Sequence, residues 1–194
     1  MKLLRALVCA YRESTRSKET AMNARIVVPT VDDIQTVGAA IARHAKGGDL
    51  VMLNGALGAG KTTMTQGIAR ELGVKGRVQS PTFVIAQIHH GTNLDLVHVD
   101  AYRLESMEEL DALDLDTTLD EALTVVEWGA GKTEVLSEDR LEIKIERPEG
   151  GEDETEPEDL FGDAPRTLTL IPYGERGNAL SAEILADPAV QELQ

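Results

Sequence analysis

The sequence predicts an α/β fold, a three-layer arrangement around a mostly parallel central sheet with antiparallel hairpins at its edges. Short apolar runs of strand length alternate along the chain with segments whose apolar residues recur at helical spacing. At 194 residues and 42% hydrophobic content, the chain can bury one ordinary core and is short for two. No internal repeat larger than a duplicated pentapeptide interrupts this pattern.

The first 21 residues, "MKLLRALVCAYRESTRSKETA", stand outside the pattern. Their apolar stretch is too broken for a signal peptide. Met22 opens the more regular "MNARIVVPT", so 1–21 reads as an extension, from a start assigned too early or a disordered segment. Its basic, Ser/Thr-containing character also leaves an organelle transit peptide open. The folded domain is expected over 22–186, with 187–194 as a C-terminal tail.

Within that domain, "TVDDIQTVGAAIARHAKGG" sets Thr30 three residues before Asp33, like a capping box. Ile34, Val37, Ile41 and Ala45 follow at helical spacing, and Gly47-Gly48 ends the helix. "DLVMLNG" is a short apolar run ending in glycine, which suits a buried strand. "KTTMTQGIAREL" reads as a helix stopped at Gly73. Two β-branched runs in "TFVIAQIHHGTNLDLVHVD" flank Gly91-Thr92-Asn93 and predict a hairpin. "SMEELDALDL" and "TTLDEAL" are expected as short acidic helices, and "TVVEW" as another buried strand. "RLEIKIE" and "RTLTLIP" alternate as strands, and "NALSAEILA" reads as a closing helix.

Charge and composition narrow the function. The formal net charge is −15, and residues 146–163, "ERPEGGEDETEPEDLFGD", hold nine acids and one arginine. That tract has the composition of a solvated loop, and an acidic insertion is expected over 146–165. The rest of the chain is also acidic, which argues against a large basic nucleic-acid face acting alone. Cys9 is the single cysteine, so neither an internal disulfide nor a thiolate metal cluster is available. No run approaches the roughly 18–20 apolar residues that span a bilayer. A cytoplasmic, reducing setting without membrane attachment is expected.

The letters GAGKT occur twice, at 58–62 and at 129–133. A phosphate-binding loop needs a strand before it, glycines that let the backbone wrap the phosphates, and a helix starting at them. The first copy completes the G-x-x-x-x-G-K-[ST] pattern from Gly55, follows "LVMLN" and opens a helix. There the backbone N–H groups of Gly58, Ala59, Gly60, Lys61, Thr62 and Thr63 would cradle phosphates. Lys61 would neutralise the β and γ oxygens, and the Thr62 hydroxyl would ligate Mg²⁺. In the second copy Val126 occupies the place of the first glycine, inside an apparent strand, so 129–133 is read as a surface loop.

A P-loop enzyme also needs a carboxylate near the metal, usually at the end of a neighbouring strand. Asp100, after "LDLVHV", and Glu127, after "LTVV", both qualify, and the purely apolar run before Glu127 favours it as the ligand. Trp128, the single tryptophan, packs in the core or stacks near the nucleotide. Pro81 stiffens a loop in which the Ser80 and Thr82 hydroxyls could reach a γ-phosphate, although Ser-Pro-Thr is also an ordinary turn. His89, His90 and His98 lack matching acidic or thiolate ligands and read as ordinary strand-end histidines.

Four blocks in order, "GALGAGKTT" (55–63), "SPTF" (80–83), "HVDAYRL" (98–104) and "VEW" (126–128), resemble the TsaE family of bacterial tRNA threonylcarbamoyladenosine modification. The similarity extends over about residues 26–186, apart from the acidic insertion. It implies a P-loop NTPase fold and an ATPase that uses ATP and Mg²⁺. Its partners would be TsaB and TsaD, which attach threonylcarbamoyl to adenosine 37 of tRNA, and the tRNA would be reached through that complex. The resemblance further implies phosphate contacts on Gly58 to Thr63, Mg²⁺ on Thr62 and Glu127, and essential roles for Asp100, Thr82 and Trp128. Ser80 and Thr82 would form a switch segment sensing the nucleotide state, and Arg166 could approach the nucleotide. One departure is the "GAGK" that follows Glu127-Trp128, where the family is variable and often has proline.

Two rival readings share the phosphate loop. A small-molecule kinase would supply several arginines as a clamp, but those after the loop (Arg70, Arg77, Arg103, Arg140, Arg147, Arg166, Arg176) form no cluster. A nucleotide-gated interaction module would need the same loop and metal. No Asn-Lys-x-Asp motif occurs, which argues against a regulatory GTPase.

Overall fold

The structure is a computed structural model that describes residues 23–111, 120–147 and 164–194. Strand β1 spans Ala24–Val28, helix α1 Val31–His44, β2 Leu50–Asn54, α2 Lys61–Glu71, β3 Ala86–His89 and β4 Leu96–Asp100. Helix α3 follows at Met107–Asp111, then β5 at Leu123–Glu127, β6 at Arg140–Glu146, β7 at Arg166–Tyr173, α4 at Gly174–Ala186 and α5 at Pro188–Gln191. The strands form one sheet in the order β1-β7-β6-β2-β5-β4-β3. Its centre, β6-β2-β5-β4, is parallel. Both edges are antiparallel, with β7 and β1 on one side and β3 on the other. The mostly parallel α/β sheet with edge hairpins expected from the sequence is therefore present.

The layers follow from strand alternation. Val51, Leu53, Leu96, Leu123, Val125, Leu141, Ile143, Leu168 and Leu170 build one face and bury against Ile34, Val37, Ile41, Met64 and Ile68 of α1 and α2 and Leu180 and Ile184 of α4. The opposite face carries Met52, Val97, Val99 and Val126, covered by Ala101, Leu104 and Leu110. Thr30 and Asp33 do form a reciprocal capping box at the start of α1. Helices α1 and α2 approach so closely at Gly67 that a Cβ there would sit 2.7 Å from Gln35 Cα. Among the described residues, no helix is long and apolar enough to cross a membrane.

Several sequence expectations are revised. Strand β1 has no counterpart among them: only Ile26 and Val28 face the core while Arg25 and Val27 point outward, a signal too short to stand out before Pro29. The hairpin strand begins at Ala86, because Thr82–Val84 turn back onto Pro81, whose carbonyl accepts from Val84 N and Ile85 N. The described end of "TTLDEAL" is not helical: Asp120 and Glu121 form a turn and Leu123 opens β5, where it joins the buried run to Val126. The closing helix begins at Gly174, ahead of the expected Asn178. Residues 187–194, expected as a tail, fold back on α1: Val190 is buried and Asp187 accepts from Arg43 and His44. The extension 1–21, the acidic tract from 148 to 163 and residues 112–119 lie outside the described residues.

Candidate functional site

Parallel strands end on one side of the sheet, and ligands of α/β proteins bind in the crevice outside those ends. A cleft of about 580 Å³ lies there. The segment after β2 and the first turn of α2 supply Leu57, Gly58, Gly60, Lys61, Thr62 and Thr63, and the ends of β4 and β5 supply Asp100, Glu127 and Trp128. Ser80, Thr82, Tyr102 and Arg166 complete the polar wall, and Val31, Ile34 and Leu57 give an apolar one.

The loop is built by its glycines. Gly58 and Gly60 hold φ of 76° and 117°, in the left-handed region that favours glycine. Gly60 is the N-cap of α2 and offers no side chain, so the first-turn N–H groups of the helix keep no intrahelical acceptor. Ala59 sits beneath the loop, 3% exposed, with its N–H on the Ala56 carbonyl at 3.2 Å. Lys61 is 5% exposed and donates to the Gly55 and Ala56 carbonyls at 2.8 and 2.9 Å. Its ammonium also lies 3.6 Å from the centroid of the Trp128 ring. Burial pushes the Lys61 pKa below the ordinary lysine value, against the opposing pull of Glu127 and Asp100.

Opposite the loop, Asp100 and Glu127 stand side by side because β4 and β5 pair in that register. Glu127, 2% exposed, accepts from the Thr62 hydroxyl at Oε2 (3.0 Å), and its Oε1 lies 2.9 Å from His98 Nε2. Asp100 Oδ2 accepts from the Thr82 hydroxyl at 2.7 Å and from Ser80, while Oδ1 accepts from Tyr102 N at 3.0 Å. The Ser80-Pro81-Thr82 segment is thereby tied to the end of β4. Two non-glycine residues with positive φ flank this wall, Ile85 at 67° and Trp128 at 61°. Such backbone costs roughly 1 kcal/mol or more and persists where surrounding contacts impose it. Arg166 opens β7 at the rim, 3% exposed, and donates to the Ala164 carbonyl at 2.5 Å.

The geometry thus gathers Gly58, Gly60, Lys61, Thr62, Thr63, Ser80, Thr82, Asp100, Glu127, Trp128 and Arg166 into one cleft. Three contributors escape the sequence reading. His98 is no strand-end histidine: it lies in the middle of β4, fully buried, in contact with Glu127. A signal for it exists, since alternation puts His98 on the same face as Asp100. Tyr102 packs edge-on against Trp128 with centroids 5.4 Å apart. The second GAGKT is also more than a surface loop, because Gly129 and Thr133 are buried and Lys132 Nζ donates to the Ala101 carbonyl at 2.9 Å.

The donor set fits a divalent cation bound with phosphate. Two carboxylates line a cleft whose loop is shaped for an anion, and a hard cation between them reconciles the two. The Thr62 hydroxyl and the Glu127 carboxylate, which meet at 3.0 Å, are oxygen donors that could hold it.

Comparison with known proteins places the chain. The family model "Threonylcarbamoyl adenosine biosynthesis protein TsaE" matches residues 28–156. A "tRNA threonylcarbamoyladenosine biosynthesis protein TsaE" of Streptomyces coelicolor is 46% identical over 156 residues, 79% of this chain and 99% of that protein. The protein of the same name from Bacillus subtilis is 40% identical over 154 residues, 79% of this chain and 88% of the relative. The crystal structure of Bacillus subtilis YdiB superimposes with a TM-score of 0.66 at 29% identity, covering 86% of this chain and 97% of that one. With the matched model spanning well over half its length, the chain belongs to the TsaE family of tRNA threonylcarbamoyladenosine biosynthesis.

Proposed function

We propose that this chain is the ATP-binding and ATP-hydrolysing member of the tRNA N6-threonylcarbamoyladenosine-37 machinery, acting in the cytoplasm with TsaB and TsaD and meeting tRNA through them. One observation carries the reading: the Thr62 hydroxyl meets the Glu127 carboxylate at 3.0 Å, beside the buried Lys61 and at the open start of α2. In this reading the first turn of α2 and Lys61 hold the phosphates, and the apolar wall of Val31, Ile34 and Leu57 takes the nucleoside. Thr62 and Glu127 would hold Mg²⁺, which supplies charge neutralisation at the phosphate oxygens. Lys61 leaves the Gly55 and Ala56 carbonyls for the phosphates, and water displaces ADP from the γ-phosphorus to give ADP and inorganic phosphate.

Asp100 acts through the Ser80–Thr82 segment it grips, so a phosphate that draws those hydroxyls away would move the neighbouring Phe83, which is 89% exposed. Among the described residues Arg166 is the one arginine lining the cleft. That is too few for a phosphoryl-transfer clamp and fits slow hydrolysis that partners accelerate.

The test is ATP hydrolysis by the chain alone, with TsaB and TsaD, and with Glu127→Ala. Stimulation by the pair that disappears in the variant is expected. Absence of stimulation where the complex forms would transfer the reading to a small-molecule kinase or to a nucleotide-gated interaction module.

A further inference from the structure

We propose that His98 is a positioning residue that clamps Glu127 so that a single carboxylate oxygen is presented toward Thr62 and the metal. The inference rests on the reading of Thr62 and Glu127 as the Mg²⁺ ligands.

The clamp has two jaws from two elements. His98 Nε2 on β4 meets Oε1 of Glu127 at 2.9 Å, and the Thr62 hydroxyl on α2 meets Oε2 at 3.0 Å. His98 is fully buried and the Glu127 side chain is 3% exposed, so no solvent competes for the contact. A carboxylate held at one oxygen cannot rotate freely, and Oε2 is left as the oxygen beside the cleft. Facing a carboxylate, which only accepts, Nε2 is the donor of this hydrogen bond.

Among the described residues the buried His98 Nδ1 has no hydrogen-bond partner. A buried polar atom without a partner lowers stability. Its strand neighbours Leu96, Val97 and Val99 are apolar and fully buried, and an apolar residue would serve the fold better at position 98. The histidine is therefore explained by what its other nitrogen does. His89 packs against it with ring centroids 6.2 Å apart, which limits its movement toward β3.

The experiment uses the full chain with ADP and Mn²⁺ as probes. Mn²⁺ binding to the ADP complex is read by electron paramagnetic resonance, and ADP binding in EDTA by calorimetry. His98→Met keeps the bulk and loses the donor, while His98→Gln returns an N–H at similar reach. His98→Met is expected to weaken Mn²⁺ binding by about 10- to 100-fold, with ADP affinity in EDTA and the melting temperature preserved, and His98→Gln to recover most of the loss. Should His98→Met fail to fold, His98→Asn, whose amide is too short to reach Glu127, takes its place with the same expectation.

Unchanged Mn²⁺ affinity in the donorless variant would overturn the inference. So would an equal loss of ADP affinity in EDTA, which would make His98 a general support of the loop. A Glu127→Gln control that keeps full Mn²⁺ affinity would instead remove the metal-ligand reading beneath it.

Discussion

The two GAGKT segments share five letters and fold into different objects. At 58–62 the letters follow Gly55, which lies where a Cβ would be 3.1 Å from Ala59 Cβ, and the backbone swings wide before entering α2. At 129–133 they follow β5 directly, and the chain closes at once: Lys132 N and Thr133 N both donate to the Gly129 carbonyl, at 2.9 and 3.0 Å. The lysines solve a common problem, since each finds two backbone carbonyls. Lys61 takes Gly55 and Ala56 inside the cleft, whereas Lys132 takes Ala101 and Tyr102 on the strand connection behind it. A pentapeptide thus does not make a phosphate site. The residues before it decide whether a concave loop can form, and the helix after it decides whether dipoles converge there.

The lysine pair gives the sharpest test of this difference. Lys61→Ala should weaken ATP binding by about 100- to 1000-fold, because charge-assisted bonds to phosphate are lost. Lys132→Ala, which loses bonds to the Ala101 and Tyr102 carbonyls and none to phosphate, should weaken it by only about threefold, through a loosened Tyr102. Titration of Trp128 fluorescence with ATP measures both, and equal effects would break the distinction between the copies.

A second test completes the motif in the decoy. Val126→Gly creates the full eight-residue pattern, yet binding should stay at one nucleotide per chain. Val126 is fully buried in β5, so its loss should cost about 3 kcal/mol in denaturant unfolding, from the lost methyl groups and the glycine in a strand. A second equivalent of ATP would show that the glycine alone suffices.

The smallest expected effect comes from pH. Burial holds Lys61 below its ordinary 10.5, so between its folded pKa and 10.5 the unfolded chain binds a proton that the folded chain lacks. Stability of the nucleotide-free protein should therefore gain a contribution as pH rises through that window, while ATP affinity falls as the ammonium is lost. Lys61→Met should remove the stability gain. Paired unfolding curves carried from neutral pH up to 10.5 for the two proteins measure it, and superimposable pH dependences would show that Lys61 is not the group responsible.

The features legible in the amino-acid sequence are local ones. The capping box of Thr30 and Asp33 is satisfied within one turn. The loop from Gly55 to Thr62 declares itself through glycines, a lysine and a hydroxyl at fixed spacing, and the apolar run Leu123–Val126 through burial on both faces of a strand. Elements with a divided signal are harder to read. Strand β1 buries two residues of five, and the histidine of "HVDAYRL" resembles any histidine near a strand end.

The sequence by itself determined the glycine-rich loop from Gly55 to Thr62, the helix it opens and the alternation that yields a mostly parallel sheet, because each depends on backbone preferences and apolar period over a few residues. Tertiary structure alone decided which groups meet. Thr62 and Glu127 are 65 positions apart, His98 and Glu127 are 29 apart, and Lys132 reaches Ala101 across 31. Those meetings are set by the register that lays Asp100 beside Glu127 across β4 and β5 and by the close packing of the surrounding core. Register emerges only when the whole sheet is assembled, since each strand's side-chain set is assigned to a face by its neighbours as well as by its own pattern.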